Sequence, residues 1–171
     1  MDSETSKITE KEFIEFVKTY QERLYLVIYR MVQDVSTAQD LLQDTLLAGY
    51  NKIEQFQGKS GLYTYFYRIA VNKAISHLRM SRWRHWTPLE LIENWLPHGE
   101  ADSLEMMIED EDIQQVKKAM QKLPPRQKAI FVSRVYEGLS FKEIAGILKI
   151  SESAARSNFF QAVQRIKREV P

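Results

Sequence analysis

The chain has 171 residues, a length sufficient for one ordinary folded domain or two small ones. Of these residues 44% are hydrophobic and 27% charged, a composition typical of a folded protein and not of a disordered one. It contains no Cys, which excludes disulfides, thiolate metal sites and Cys nucleophiles. The polar, acid-containing start does not resemble a signal peptide, and the longest apolar runs, such as residues 25–29, are too short to cross a bilayer. We therefore expect a cytoplasmic protein.

The net charge of +1 conceals an uneven distribution along the chain. Residues 87–112 hold nine Asp and Glu and no Lys or Arg, whereas residues 113–171 hold twelve Lys and Arg and four Asp and Glu. A basic end behind an acidic segment is expected when one end of a chain binds nucleic acid. The same charge distribution would also arise in a chain whose charges are only solvated and bind no partner. On charge alone, this second interpretation is slightly favoured over nucleic-acid binding.

Helix signals dominate residues 1–86, and strand signals are weak. Thr9 to Glu12 and Ser36 to Gln39 both have the sequence of a capping box, and apolar residues follow each at helical spacing. Residues 57–61 (QGKSG) form a break, after which a third helix is predicted from about Tyr63 to Arg84. This segment is therefore predicted to be an all-α bundle.

Residues 87–112 are predicted to be an acidic linker, since they hold two of the five prolines and the run EDED at residues 109–112. A helix from about Ile113 to Lys122 should end at the following Leu-Pro-Pro, and Pro125 suits the first turn of the next helix, which Gly138 should terminate. Residues 113–171 are thus predicted to be a second helical domain.

The end of the chain has the pattern of a helix-turn-helix. Ser140 to Glu143 is a further capping box, residues 149–151 are the right length for a turn, and Ser151 can cap a helix from Glu152 to about Glu169. One face of that helix is apolar, and the opposite face offers groups suited to base edges, phosphates and a thymine methyl. The candidate DNA-reading residues on this face are Ser153, Arg156, Ser157, Phe160, Gln161 and Gln164.

Three motifs resemble the extracytoplasmic-function class of RNA polymerase sigma factors, in the sigma-70 family. Residues 38–46 (AQDLLQDTL) and 67–79 (YRIAVNKAISHLR) are similar to the two signatures of its conserved region 2. Residues 123–127 (LPPRQ) and the helix-turn-helix are similar to region 4. The resemblance implies sigma region 2 at residues 1–86, a linker at 87–112 that threads through the polymerase, and sigma region 4 at 113–171.

The resemblance also implies partners and roles. Region 2 of the family docks on a coiled coil of the polymerase β′ subunit, and its third helix with the preceding loop meets the promoter's −10 element, while region 4 reads the −35 element. Core RNA polymerase (its β′ and β subunits), promoter DNA and an anti-sigma factor are the expected partners. The matching polymerase-binding positions are Asp40, Leu41, Gln43 and Asp44. The matching −10 positions are Lys59, Ser60, Tyr63, Tyr65, Arg68, Asn72 and Arg79.

Other classes of protein fit the sequence less well. There is no Gly-rich phosphate loop, metal-ligand spacing or nucleophile elbow, so we expect no enzyme, catalytic residue, metal or cofactor. A stand-alone helix-turn-helix regulator is the main alternative, and it would bind duplex DNA by itself, usually as a symmetric dimer. A protein-interaction adaptor is a further alternative. Neither alternative requires the two region 2 motifs.

Overall fold

The computed structural model describes residues 8–56, 58, 60–86 and 111–170, and all regular structure in those ranges is helical. This confirms the predicted all-α fold. The helices are α1 (Glu10–Val32), α2 (Val35–Asn51), α3 (Leu62–Trp86), α4 (Glu111–Gln121), α5 (Pro125–Val135), α6 (Phe141–Leu148) and α7 (Glu152–Glu169), with a 3₁₀ turn at Ile53–Gln55.

Side-chain caps set the starts of the helices, as predicted for α1 but not for α2. The Glu12 carboxylate accepts from the Thr9 backbone N–H at 2.7 Å, and Thr9 Oγ1 accepts from the Glu12 N–H at 3.2 Å. The predicted capping box at Ser36 is wrong, because α2 begins at Val35 and Asp34 Oδ1 accepts from the Thr37 N–H at 2.7 Å. A carboxylate at the N-cap also interacts favourably with the helix dipole, which a Ser hydroxyl does not.

The first domain is a bundle of α1, α2 and α3, which pack pairwise against one another. Its core joins Leu24 and Ile28 of α1 to Phe66 and Val71 of α3, none of them more than 1% exposed. Gly49 lets α2 approach α3 closely, since a Cβ at this position would lie 2.0 Å from the Phe66 ring. The bundle therefore fixes which faces of α2 and α3 remain at the surface.

The second domain packs α4, α5 and α6 against α7, and residues 127–133 of α5 are all buried. Its first helix begins at Glu111, two residues before the predicted start at Ile113, so it takes up the last two residues of the predicted linker. The rest of that linker, residues 87–110, lies outside the described residues.

The two domains contact each other mainly through α5, which packs against α1 and α3, and α6 also packs against α3. The buried Tyr67 hydroxyl lies 2.7 Å from Ser133 Oγ. Gln33, at the end of α1, donates from Nε2 to the Lys117 carbonyl at 3.1 Å, and its Oε1 accepts from Gln121 Nε2 at 2.7 Å. These side-chain contacts join α1 and α3 to both α4 and α5.

Candidate nucleic-acid interface

The helix-turn-helix is built by three local features of its sequence. The Ser140–Glu143 capping box forms as predicted and starts α6. Lys149 adopts a left-handed conformation with φ 54°, and the N–H groups of Lys149 and Ile150 both reach the Ala145 carbonyl and close the helix. Ser151 then accepts from the Ala154 N–H at 3.1 Å and starts α7. The turn therefore joins α6 to α7 within three residues.

Helix α7 separates an inner face from an outer one. Ala155, Ala162 and Ile166 are buried against the rest of the domain. The predicted DNA-reading residues Ser153, Arg156, Ser157, Phe160, Gln161 and Gln164 are all exposed. Phe160 is 59% exposed, a large apolar ring in water on the same face as the polar side chains. The structure thus brings the six residues together on one accessible surface.

Two of the six residues are held in place by neighbours. Arg156 forms an ion pair with Glu152 at 3.1 Å, and its guanidinium lies 4.8 Å from the centre of the Phe141 ring. Gln161 Oε1 accepts from Gln127 Nε2 at 2.8 Å. Because Arg156 keeps donors that these contacts do not use, its fork geometry suits a guanine edge or a phosphate.

Helix α2 carries a second exposed surface. Asp40, Gln43 and Asp44 are exposed, as expected of a docking stripe, while Leu41 is half-buried against α3. Leu47 extends the stripe by one turn and is 55% exposed. Leu47 lies just outside the motif at residues 38–46, but its spacing of three and four residues from Asp44 and Gln43 places it on the same helix face.

The predicted −10 residues, on α3 and in the loop before it, lie in different environments. Asn72 and Arg79 are exposed, and Ser60, Tyr63, Tyr65 and Arg68 are half-buried. Lys59 lies outside the described residues. The Asn72 side chain donates to the Arg68 carbonyl at 2.8 Å, one of the two roles that the sequence left open for it. The Tyr65 hydroxyl donates to the Gly49 carbonyl at 3.3 Å, and burial raises the pKa of Tyr65.

A groove of about 670 Å³ runs between α2 and α3. Apolar residues that include Leu41 and Ile69 line it together with basic and polar residues. The basic and polar residues are Lys52, Arg68, Asn72, Lys73, Ser76, His77 and Lys149. A groove with this lining suits a nucleic-acid strand, because cations bind phosphates and apolar side chains accept base faces. Lys149 reaches this groove from the helix-turn-helix of the second domain.

Tyr63 is half-buried and contacts the second domain. Its hydroxyl donates to Glu137 Oε2 at 3.1 Å, and the Arg23 guanidinium lies 4.5 Å from the centre of its ring. Burial and then the Glu137 carboxylate raise the pKa of Tyr63, so the hydroxyl stays protonated and remains a donor. In this arrangement the Tyr63 hydroxyl is hydrogen-bonded to the second domain.

Two other features are absent from the described residues, a metal-binding cluster and a membrane-spanning helix. No group of three or more His, Cys, Asp or Glu in them could hold a metal ion. No described helix is long and apolar enough to cross a membrane.

Comparison with known proteins identifies the family. The family model for sigma-70 region 2 matches residues 16–84, and that for sigma-70 region 4 matches residues 113–166. The RNA polymerase sigma-H factor of Pseudomonas aeruginosa is 30% identical over 158 residues, covering 88% of this chain and 81% of its own. The ECF RNA polymerase sigma-E factor of Escherichia coli is 29% identical over 168 residues, covering 94% and 87%.

The fold is also found in solved structures. The sigma factor RpoE of Bartonella quintana, solved with the anti-sigma factor NepR, is 24% identical with a TM-score of 0.69 and covers 92% of this chain and 96% of its own. CnrH, solved with the cytosolic domain of CnrY, is 16% identical with a TM-score of 0.64, over 94% of this chain and 88% of its own.

The chain belongs to the sigma-70 family and is a sigma factor of the extracytoplasmic-function class. It is therefore a transcription initiation factor and not an enzyme, and it acts with core RNA polymerase at promoters. This identification rules out both alternatives drawn from the sequence, the stand-alone regulator and the adaptor.

Proposed function

We propose that this sigma factor divides its work between two domains. Residues 1–86 bind core polymerase and the −10 element, residues 113–171 bind the −35 element, and residues 87–112 link them. The observation that carries this proposal is that the candidate contacts lie on separate exposed surfaces, one on α2 and one on α7. Each surface stands on a helix whose other face is fixed in a core.

The α2 surface is proposed to bind the coiled coil of the β′ subunit. Asp40, Gln43 and Asp44 supply acceptors and negative charge, and Leu47 adds apolar area beside them. An exposed Leu with acids one and two helical turns before it suits a small helix-binding surface, since a buried apolar contact contributes affinity and nearby charges orient the partner. Leu41 is proposed to support this face from its position against α3.

The surface of α3 is proposed to hold the melted −10 strand. Arg68, Asn72 and Arg79 provide charge and hydrogen-bonding groups, and Tyr63 and Tyr65 provide rings on which unpaired bases can stack. Ser60 and Lys59 belong to the proposed loop contact. The groove between α2 and α3 supports this role, because Lys52, Lys73 and Lys149 line it next to these side chains.

The α7 surface is proposed to enter the major groove of the −35 element. Arg156 is the proposed base-reading group, Phe160 the contact to a thymine methyl, and Gln161 and Gln164 the contacts to adenine or phosphate. Ser153 and Ser157 are proposed to bind phosphates and so to fix the register of the helix on the duplex.

We further propose control by an anti-sigma factor in the cytoplasm. The structures of RpoE and CnrH contain anti-sigma factor NepR and the cytosolic domain of CnrY, respectively. This chain has the same fold over both domains, so a partner that binds across them would have equivalent surfaces available.

Polymerase binding is tested with a double variant, Gln43→Ala with Asp44→Ala, and with Leu47→Ala. Both should bind purified core polymerase at least about ten-fold more weakly, the loss expected for contacts at the centre of an interface. Gln21→Ala with Glu22→Ala is the matched control, because it removes the same kinds of side chain from an exposed part of α1. Normal affinity of the folded α2 variants would refute the proposed docking surface.

Promoter reading is tested by run-off transcription with core polymerase on fragments of the source genome. New transcripts should appear only when the protein is added. Arg156→Ala should reduce them about ten-fold or more, as expected for loss of a bidentate base contact, whereas Lys167→Ala in the last turn of α7 should have a small effect. Equal transcription with the Arg156 variant and the wild type would show that Arg156 does not read the promoter.

A further inference from the structure

Gln127 is a polar side chain in a buried position. It lies in the first turn of α5 and is only 6% exposed. Its Nε2 donates to Gln161 Oε1 of α7 at 2.8 Å, whereas its own Oε1 is buried without a hydrogen-bond partner among the described residues. An unpaired buried carbonyl oxygen lowers stability, so an apolar side chain of similar size would suit this position better. The stability of the fold therefore does not explain why a Gln stands here.

The hydrogen bond joins a fixed residue to an exposed one. Gln161 is exposed on the face of α7 that is proposed to read the −35 element. One turn along α5 from Gln127, the ring of Phe131 stacks on that of Phe159 of α7, with their centres 6.1 Å apart. Because packing holds the two helices together here, Gln127 is a fixed donor that aligns the Gln161 side chain.

The direction of this bond determines which end of the Gln161 amide is free. A Gln amide has one acceptor, Oε1, and one group with two donors, Nε2. Oε1 accepts from the buried Gln127, and no hydrogen bond within the described residues uses Nε2. Rotation of this amide alone would bring two NH2 groups together and leave both amide atoms of Gln127 unpaired, which is costly. Gln161 therefore offers its NH2 group to a partner outside the protein.

We propose that Gln127 is a positioning residue that holds Gln161 with its NH2 group towards the DNA, so that Gln161 selects a base with acceptors on its major-groove edge. Guanine presents O6 and N7 there and thymine presents O4, whereas cytosine presents the N4 donor. Bidentate recognition of adenine uses the oxygen and the nitrogen of the amide together, and the oxygen is already engaged. This inference rests on the proposed function of α7 and narrows it, since it excludes the bidentate adenine contact for Gln161.

The base preference is measured by run-off transcription with core polymerase from a mapped promoter in which each −35 base is changed in turn to the other three. Gln161→Ala identifies the position that Gln161 reads, because only that position should lose its preference. There the wild type should use guanine or thymine about five-fold better than adenine or cytosine, the ratio expected for one neutral hydrogen bond. A preference for adenine at that position overturns the proposal. A uniform loss over all sequences in Gln161→Ala also overturns it, because that is the behaviour of a phosphate contact.

Gln127→Met separates positioning from stability, because it keeps the volume of the side chain and removes the amide. It should reduce the preference at the Gln161 position to about two-fold or less, while the preferences at other −35 positions stay as in the wild type and the midpoint of urea unfolding does not fall. Gln115→Met is the matched control and should change no preference. The Oε1 of Gln115 is also buried without a partner in the described part of the chain, but Gln115 makes no hydrogen bond to α7 there.

Two results with Gln127→Met contradict the positioning role. One is a base preference equal to that of the wild type. The other is a lower urea midpoint with an equal loss of transcription from every −35 variant, which is what a purely structural role would give.

Gln161→Glu tests the direction of the bond. One carboxylate oxygen can still accept from Gln127 Nε2, and more strongly, while the other oxygen presents an acceptor where the wild type presents donors. The preference should therefore move to cytosine or adenine, whose major-groove edges carry NH2 groups. An unchanged preference for guanine or thymine in this variant overturns the proposal.

NMR of the isotope-labelled full chain tests the orientation without DNA. The side-chain NH2 group of Gln161 should exchange rapidly with water, and that of Gln127 should be protected and should shift downfield in Gln161→Glu, where its acceptor becomes charged. A Gln161 NH2 group that is protected from exchange overturns the proposal, because it would then be the donor to Gln127. Since this measurement needs no promoter, it tests the inference even where run-off transcription refutes the proposed function.

Discussion

Replacing Gly49 by Ala tests the packing that fixes α2 against α3. The added Cβ would lie 2.0 Å from Phe66 Cε1, whereas carbon atoms in contact are about 3.5–4.0 Å apart. The Phe66 ring is fully buried, and its centre lies 4.6 Å from that of Phe16, 5.9 Å from Phe13 and 5.3 Å from Tyr65. The ring is thus enclosed by other rings, and relief of the clash requires the helices to separate.

The expected magnitude follows from two opposing effects. Gly to Ala in a helix interior gains about 1 kcal/mol of helix propensity, and overpacking a core costs about 1–3 kcal/mol, more where backbone must move. We expect Gly49→Ala to lower the free energy of unfolding by about 1–2 kcal/mol and, with a urea slope near 2 kcal/mol/M, to lower the midpoint by about 0.5–1 M.

A second helical glycine provides the control for this prediction. Gly146 lies in α6, is exposed, and has nothing within 4 Å of an added Cβ. Gly146→Ala should therefore raise the free energy of unfolding by about 0.5–1 kcal/mol, so the two variants should move in opposite directions in urea unfolding followed by circular dichroism. If Gly49→Ala is as stable as Gly146→Ala, the close approach of α2 and α3 is wrong.

Two further predictions concern a buried Lys and two strained residues. Burial, together with the charge of Arg82, lowers the pKa of Lys128 from 10.5 to about 8, so the free energy of unfolding should rise between pH 8 and 10.5, where the unfolded chain binds more protons. Lys128→Met should remove this rise and stabilise the protein at pH 7 by about 3 kcal/mol. Urea unfolding across the pH range measures both effects. A variant whose stability has the same pH profile as the wild type would contradict the prediction. Lys149→Gly should stabilise by about 1 kcal/mol by relieving its φ of 54°. Gln33→Gly, at the same φ, should raise the free energy of unfolding by less than Lys149→Gly, because it also removes two hydrogen bonds between the domains. Equal gains for the two variants in urea unfolding would contradict this prediction.

The helical elements were predictable because their signals are local. The capping boxes at Thr9 and Ser140 form, and α7 has the bounds that Ser151 and the apolar spacing predicted. The start of α2 was missed because Asp34 and Ser36 are both acceptable caps two residues apart. Sequence spacing does not rank such competitors, whereas the structure shows the carboxylate accepting from Thr37.

The contacts between the domains could not be predicted in the same way. Tyr67 and Tyr63 both lie at the start of α3, yet Tyr67 is 1% exposed beneath Ser133 while Tyr63 is half-buried against Glu137. Helical periodicity assigns a residue to a face of its helix, but it does not say whether a distant segment covers that face. The positions of the six exposed residues of α7 were predictable because they depend only on their own helix and its nearest neighbours.

The contact between the domains has a polar part and an apolar part. Hydrogen bonds, an ion pair and a cation over a ring cross it, namely those of Arg23, Arg30, Gln33, Tyr63, Tyr67, Gln121, Ser133, Tyr136 and Glu137. Water can replace such partners when they separate, so each contributes only about 0.5–3 kcal/mol. The buried apolar residues of both domains also belong to one continuous cluster, which includes Ile28 in the first domain and Ile130 in the second. Water offers no replacement for apolar contact, so substitution of one polar partner should leave most of the contact between the domains in place.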